Sequence, residues 1–382
     1  MTEQYDYIIC GAGAAGMSLA FRLCDPAFDH LKILLIDKEE KRGNDHTWCF
    51  WDKEKSPYDE IASNKFSRIN FFSSALEKTM DMAPYSYKMI QSDPFYKMIR
   101  NKINESSHIE FVTEEVSDIT ETSDGVTVKT GKNDYNCKEV FSSIFNGEID
   151  KEKHLYVAQH FRGWFIKTSQ RTFDKNTATF MDFRIDQAGD CRFFYVLPTS
   201  STEALVEIAI FSNEVMKPEA YDPLIKDYIK TYMKDISYEI EETEYGVIPM
   251  TDYPFWKHNT SRIHHIGTAG GAVKPSSGFA FKRIQEHTNR IIQTILNGEP
   301  LSKSYDVFKN RFYLYDSILL DVILKQKKSG ADIFTYMFKS NPPQNIFRFL
   351  DGHTSLTEEM KIFKTFPTYP FTRGWFRQKL GI

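Results

Sequence analysis

Apolar residues fall along the chain in two rhythms. Tyr7-Ile8-Ile9-Cys10 is an unbroken run of strand length, Met17, Leu19, Ala20, Phe21 and Leu23 follow at helical density, and Ile33-Leu34-Leu35-Ile36 is a second unbroken run closed by Asp37. Runs without polar alternation fit strands covered on both faces, joined by a crossover helix. Residues 109–140 alternate instead, with turns at Asp124-Gly125 and Gly131-Lys132-Asn133, and predict a β-meander. Segments 155–167, 178–185, 191–197 and 203–211 predict strands of an antiparallel sheet. Ile263 to Ile266 predicts a strand, Phe281 to Leu296 a helix, and 305–326 a helix apolar on most sides, either buried or facing lipid. Pro342-Pro343 is expected to begin the tail.

Between the first apolar run and its helix stands Gly11-Ala12-Gly13-Ala14-Ala15-Gly16. In such a turn the first glycine permits the tight bend, the second lets backbone approach a pyrophosphate, and the third lets the helix pack closely on the sheet. The helix N-terminus then offers free N–H groups to phosphate. Asp37 lies 21 residues after Gly16, where a carboxylate accepts from ribose hydroxyls. No second fingerprint marks a nicotinamide domain, so FAD is the expected dinucleotide, held by Gly11, Gly13, Ala14, Ala15, Gly16, Asp37 and Lys38. A second glycine-rich turn runs from Gly267 to Gly278 between a strand and a helix. Its Gly267, Gly270, Gly271, Ser277 and Gly278 are expected to offer further groups to the cofactor.

The order βαβ, meander, antiparallel sheet, glycine turn, helices therefore predicts an α/β protein with a Rossmann-type FAD-binding domain, discontinuous in sequence. An antiparallel β-sheet substrate domain is inserted, and a C-terminal helical segment closes the chain. We place the FAD-binding domain at 1–75, 95–150 and 250–300, the substrate domain at 76–94 and 151–249, and the helical region at 301–382.

Composition narrows the function. With 48 basic and 52 acidic residues the net charge is −4, which gives no electrostatic reason to expect nucleic acid as a partner. Five cysteines form no C-x-x-C pair and the histidines show no ligand spacing, so neither a metal site nor a disulfide framework is expected. No apolar run approaches the roughly 18 residues of a spanning helix. The first residues run straight into a strand without a signal peptide, so the expected location is the cytoplasm. Aromatic residues make up 15% of a chain that is otherwise polar.

Several segments together resemble the flavin-dependent lycopene cyclases of bacteria, over nearly the whole chain. They are Tyr7 to Gly16, Asn44-Asp45-His46-Thr47-Trp48-Cys49-Phe50, Gln159-His160-Phe161-Arg162-Gly163-Trp164, Phe180 to Arg184, Leu205-Val206-Glu207, Gly246 to Met250, and Gly267 to Gly278. The first is shared by many flavoproteins; the His-Thr-Trp and second glycine segments are more specific. The resemblance implies a p-hydroxybenzoate-hydroxylase-like fold, FAD acting in reduced form, NAD(P)H serving only as its reductant, and lycopene, a lipophilic carotenoid, as substrate. The reaction implied is closure of ψ-ends into β-ionone rings without net oxidation. In related flavin hydroxylases the second segment usually starts Gly-Asp, whereas here it starts Gly267-Thr268. The rival reading is an FAD-dependent monooxygenase or reductase acting on an aromatic or prenyl substrate.

Ring closure needs a proton delivered to a terminal double bond, and the family's acid, a Glu in a strand, falls on Glu207. Period two places Leu205, Glu207, Ala209 and Phe211 on one apolar face and Val206, Ile208 and Ile210 on another, a setting that raises a carboxyl pKa. A sheet-edge or ion-paired Glu is the structural alternative. Ile208 and Ala209 replace the second acid and the Thr of the family pattern, so no hydrogen-bonded carboxyl pair is expected there. Asp182 is the reserve acid, with Arg184 on its strand face as an ion-pair partner. His46 is expected to orient the flavin, relay a proton, or cap a turn. Trp48, Phe50, Phe161, Trp164 and Phe194 are expected either to line a cation-tolerant pocket or to be plain core. From Met360 to Ile382 there are five basic residues, six aromatics and no acids. That mixture suits a peripheral contact with the inner membrane or a tail packed on the body.

Overall fold

A computed structural model describes residues 4–234, 236–325 and 329–366. The first unbroken run is strand β1 (Gln4–Cys10), followed by helix α1 (Ala14–Leu23) and β2 (Ile33–Asp37). Every residue of β2 is buried, because helices cover one face of its sheet and a meander the other. Next come β3 (Thr47–Asp52), β4 (Asn64–Phe66), β5 (Arg68–Ser73), β6 (Leu76–Asp81), β7 (Ser86–Gln91) and α2 (Ser92–Asn104). The alternating region forms β8 (Ile109–Thr113), β9 (Val116–Glu121), β10 (Val126–Thr130) and β11 (Asp134–Ser142).

Only three of these last four strands form the expected meander. β8 instead pairs parallel with β2 at the opposite edge, giving the order β8-β2-β1-β11-β10-β9. The correction has a local cause. β8 follows α2 rather than a hairpin turn, and its Ile109 and Phe111 pack beside β2 into the core that α1 and α2 cover. β1 is parallel to both β2 and β11, so this is a Rossmann-type sheet with an antiparallel flap.

The second sheet is built from β12 (Tyr156–Thr168), β13 (Thr177–Asp182), β14 (Cys191–Pro198), β15 (Glu203–Ser212) and, after the short helix α3 (Asp222–Tyr228), β16 (Tyr238–Thr251). Its order is β16-β12-β15-β14-β13-β5-β6. Arg68–Ser73, expected with the cofactor domain, therefore belongs to this sheet, where it lies parallel to β13. Strands β3, β7 and β4 form a third, small sheet between the two.

The chain then returns to the first sheet through β17 (Ile263–His265), the second glycine turn and α4 (Phe281–Leu296), which packs on α1. Helices α5 (Arg311–Leu324), α6 (Gly330–Ser340), α7 (Pro343–Leu350) and α8 (Leu356–Phe363) complete the described chain. The 305–326 helix starts later than expected, at Arg311, because the Asn310 side chain accepts from Phe312 N–H as a cap. Its apolar residues Phe312, Ile318, Leu320 and Val322 are buried in protein. Pro342-Pro343 begins α7 rather than a tail, since proline fits a helix's first turn. Residues 367–382, most of the basic aromatic tail, lie outside the described residues. No described helix is long and apolar enough to cross a membrane.

The aromatic excess is largely core. Phe71 stacks on Phe338 of α6 with centroids 4.5 Å apart, and Trp51 meets Phe347 of α7 at 4.7 Å. The C-terminal helices thus cover part of one face of the second sheet, while Tyr221, Ile225, Tyr228 and Ile229 cover the other.

Candidate active site

The glycine turn folds as its spacing requires. Gly11 has φ +97 and donates its N–H to Ile36 O at 2.7 Å, so the turn is tied to the end of β2. A Cβ at Gly16 would lie 1.9 Å from Gly11 O, so only glycine lets α1 sit this close to the turn. Gly13 caps α1 with no side chain on the helix's free N–H groups, and a Cβ there would meet nothing within 4 Å. Asp37 accepts from Ala12 N–H at 2.6 Å and from Glu39 N–H at 3.0 Å, fixing the acid against the turn.

This turn opens into a large cavity between the two main sheets. Gly13, Ala14, Ala15, Lys41 and Ser143 line it from the Rossmann side, and Gly267, Thr268, Ser277 and Gly278 from the second glycine turn. Its far wall is the second sheet, with Gln159, Phe161, Tyr195, Leu205, Glu207 and Glu244. Inside, Ser277 Oγ and Gln159 Oε1 are buried without a hydrogen-bond partner. Bare helix N–H groups together with orphaned polar atoms are what a dinucleotide with a polar ring edge requires. The residues therefore fit FAD.

Some expected contacts fall elsewhere. Lys38 points to solvent, and Lys41, four residues after Asp37 and 3.8 Å from its carboxylate, supplies the cation at the cavity. Gly270 and Gly271 do not line the cavity. A Cβ at Gly270 would strike His265 O at 2.4 Å, and Gly271 ends the turn with φ +80, so both shape the turn.

Glu207 lies on the strand and the face that the period-two pattern predicts. Glu207 projects into the cavity from β15 beside Leu205, while Ile208 and Ile210 enter the opposite core. What exposure it has leads into the cavity. Removal from water, and then the charge of Glu244 and a hydrogen bond with it, raise its pKa well above the usual glutamate value. Glu244 on β16 is 5% exposed and is also raised by burial, but bonds from Glu207 and from Thr47 Oγ1, at 2.7 Å, work against that rise. Of the two, Glu207 is the group that holds its proton.

This pair corrects the expectation that no second acid stands beside Glu207. A carboxyl at position 208 would face the other side of the sheet, so a partner has to come from a neighbouring strand. Glu244 went unrecognised because Glu239, Glu241, Glu242 and Glu244 look like a solvated edge. The jump from odd to even acidic positions was a usable signal. It marks the irregularity where Phe165 pairs with Glu242 and Ile166 with Ile240, skipping Glu241.

Asp182 is not in the cavity. It is fully buried, paired with Arg184 at 2.7 Å and accepting from Tyr228 Oη at 2.8 Å on the α3 side. Trp164 and Phe194 belong to that same face; Phe194 stacks on Tyr228 with centroids 3.9 Å apart. Both are core, because they stand one residue out of phase with the cavity-facing positions of their strands. Trp48 and Phe161 do line the cavity, Trp48 stacked on Phe281 at 5.4 Å, whereas Phe50 packs in the core behind it. His46 is half exposed at the cavity rim and ion-pairs with Asp45 at 3.1 Å. Burial alone would raise Asp45, but bonds with His46, Ser92 and Tyr96 outweigh it and bring the pKa to about 2.

Known proteins share this fold. A solved flavoprotein/dehydrogenase from Cytophaga hutchinsonii superposes with a TM-score of 0.64 at 13% identity, covering 99% of this chain and all of that one, and shows the flavoprotein fold. The lycopene beta-cyclase of Pantoea ananas is 25% identical over 297 residues, 73% of this chain and 72% of its own. That of Pseudescherichia vulneris is 21% identical, covering 97% of this chain and 96% of its own. The profile of the family described as "Lycopene cyclase protein" matches residues 6–374, from β1 to beyond α8, and the chain belongs to that family.

Proposed function

We propose that the protein is a lycopene β-cyclase: it binds FAD in the cavity and closes the ψ-ends of lycopene into β-ionone rings without net oxidation. The observation that carries this reading is that Glu207, a carboxyl whose pKa burial and Glu244 raise, opens into the same cavity as both glycine turns. Gly13, Ala14 and Ala15 at the α1 N-terminus hold the pyrophosphate, and Asp37 and Lys41 stand where the ribose end passes. Gln159, Thr268, Ser277 and Gly278 face the ring. When bound and reduced by NAD(P)H, the flavin supplies electron density that stabilises a nearby cation.

The chain's own residues carry the proton. Glu207 gives it to the CH carbon of a ψ-end's terminal double bond, whose π pair forms the new C–H bond and leaves a tertiary carbocation on the dimethyl carbon. The next double bond attacks that centre, and loss of a ring proton completes an isomerisation. Trp48 and Phe161 offer ring faces to the cation, each worth roughly 0.5–2 kcal/mol. The enzyme works at the cytoplasmic face of the inner membrane, where its substrate resides, with residues 360–382 as the contact.

Expression in lycopene-accumulating bacteria, read by pigment chromatography, tests the reading. Wild type yields cyclised carotenes at lycopene's expense, and Glu207→Gln leaves lycopene. Unchanged lycopene with wild type, or NADPH consumed in step with an oxygenated product, overturns it.

A further inference from the structure

Glu207 and Glu244 lie on different strands with a third strand between them. In the register of the sheet, Gly163 of β12 pairs with Glu207 on one side and with Glu244 on the other, so the three residues form one row. Adjacent strands are about 4.8 Å apart, which puts the two glutamate backbones roughly 10 Å from each other. Their side chains meet only by reaching over position 163. A Cβ at Gly163 would lie 2.9 Å from Glu244 Cγ, 2.7 Å from Leu205 Cδ1 and 3.2 Å from Glu207 Oε2. A glycine inside a strand weakens the strand. Here its missing side chain is the space in which two carboxyls pair.

We propose that Glu244 is the second carboxyl of the acid, that it and Glu207 hold one proton between them across Gly163, and that Thr47 fixes Glu244 as the acceptor of that proton's hydrogen bond. The inference rests on the cyclase reading for its chemistry but not for its geometry. The remaining titratable groups around the pair are Tyr195 from β14, Tyr87 from β7, Cys49 from β3, His46 at the rim and Glu242 on β16. Burial raises Tyr195, Tyr87 and Cys49, so these three stay neutral, and the charge facing Glu207 inside the cavity is that of Glu244. When the Glu207 O–H bond breaks, the proton joins the alkene carbon and two carboxylates are left in contact. Their repulsion draws back the proton that leaves the ring, and the pair ends as it began. Glu244 and Gly163 are thus positioning residues acting through Glu207.

Infrared titration of the FAD-loaded protein, following the carbonyl stretch of protonated carboxyls, tests the pairing apart from turnover. Wild type shows such a band near neutral pH that is missing from Glu207→Gln, and the difference between the two sets it apart from the buried carboxyls of Asp252, Glu286 and Asp351. In Glu244→Gln, and in Gly163→Ala where both carboxyls remain, the Glu207 group titrates about one pH unit lower or more, a tenfold or greater loss of proton affinity. The alkaline limb of the cyclisation profile moves with it. Flavin content verifies folding, and Glu244→Gln serves alone if Gly163→Ala does not fold. If band and limb stay in place in Glu244→Gln, the pairing is overturned while Glu207 remains the acid. If the band shifts but wild type cyclises nothing, the pair stands and the cyclase reading falls.

Discussion

Asp182 and Glu207 are carboxyl groups of one sheet, enclosed by opposite faces and met by opposite partners. Asp182 receives the Arg184 guanidinium through two bonds, at 3.0 and 2.7 Å, and the Tyr228 hydroxyl, in a face sealed by α3. Glu207 meets another carboxyl and an open cavity. The first arrangement satisfies a charge and ties β13 to α3. The second offers Glu207 no cation and raises its pKa beside the cavity, as the proposed proton donor requires. Burial by itself does not mark a catalytic acid; the partner and the access do.

Exchanging each acid for its amide separates the two roles most strongly. Glu207→Gln is expected to lower cyclisation by about 10²–10⁴-fold, the usual share of a general acid, with folding intact. Asp182→Asn is expected to leave turnover of the folded protein within a few-fold while costing about 3 kcal/mol by breaking a buried ion pair. Pigment assay and thermal unfolding of both variants check this, and a reversal would exchange the assignments.

The aromatic residues of the two faces should divide in the same way. Trp164→Ala opens the sealed face and is expected to cost about 3–5 kcal/mol in denaturant unfolding. Phe161→Ala widens the cavity instead and takes a ring face from the cation, so its effect should show in kcat, by about 2- to 30-fold.

The pH dependence of stability sharpens the contrast. The folded pKa of Glu207 lies above the roughly 4.3 of an unfolded glutamate. Its stabilising contribution is therefore complete below that value and is lost as pH rises through the folded pKa. Glu207→Gln removes this loss, so its Tm relative to wild type should climb as pH rises above the unfolded glutamate value. The smallest effect expected is Phe194→Leu, which gives up the stack on Tyr228 for about 1 kcal/mol in Tm-derived stability and leaves cyclisation unchanged.

The legible parts of the sequence were those whose cause is local. β1, the glycine turn, α1 and β2 lie within 34 residues, where Gly11 is tied to Ile36 and Gly16 packs against Gly11. Period two sufficed to put Glu207 and Ile208 on different faces. Alternation could not say which edge of a sheet takes β8, nor that Arg68–Ser73 would leave the cofactor part for the second sheet. It also gave Trp164 and Phe194 no preference between the cavity and the α3 core, since both faces of that sheet are apolar.

The sequence alone determined a dinucleotide turn and the face on which Glu207 stands, because turn chemistry and side-chain period act over a few residues, while the family showed in the resemblance of whole segments. Tertiary structure alone decided that Gly163 stands between Glu207 and Glu244, that Thr47 arrives from a strand of the third sheet, and that Arg184 and Tyr228 hold Asp182 away from the cavity. Those contacts join residues up to 197 positions apart. Their register is set by how whole sheets pack, and that is a property of the assembled core rather than of any segment.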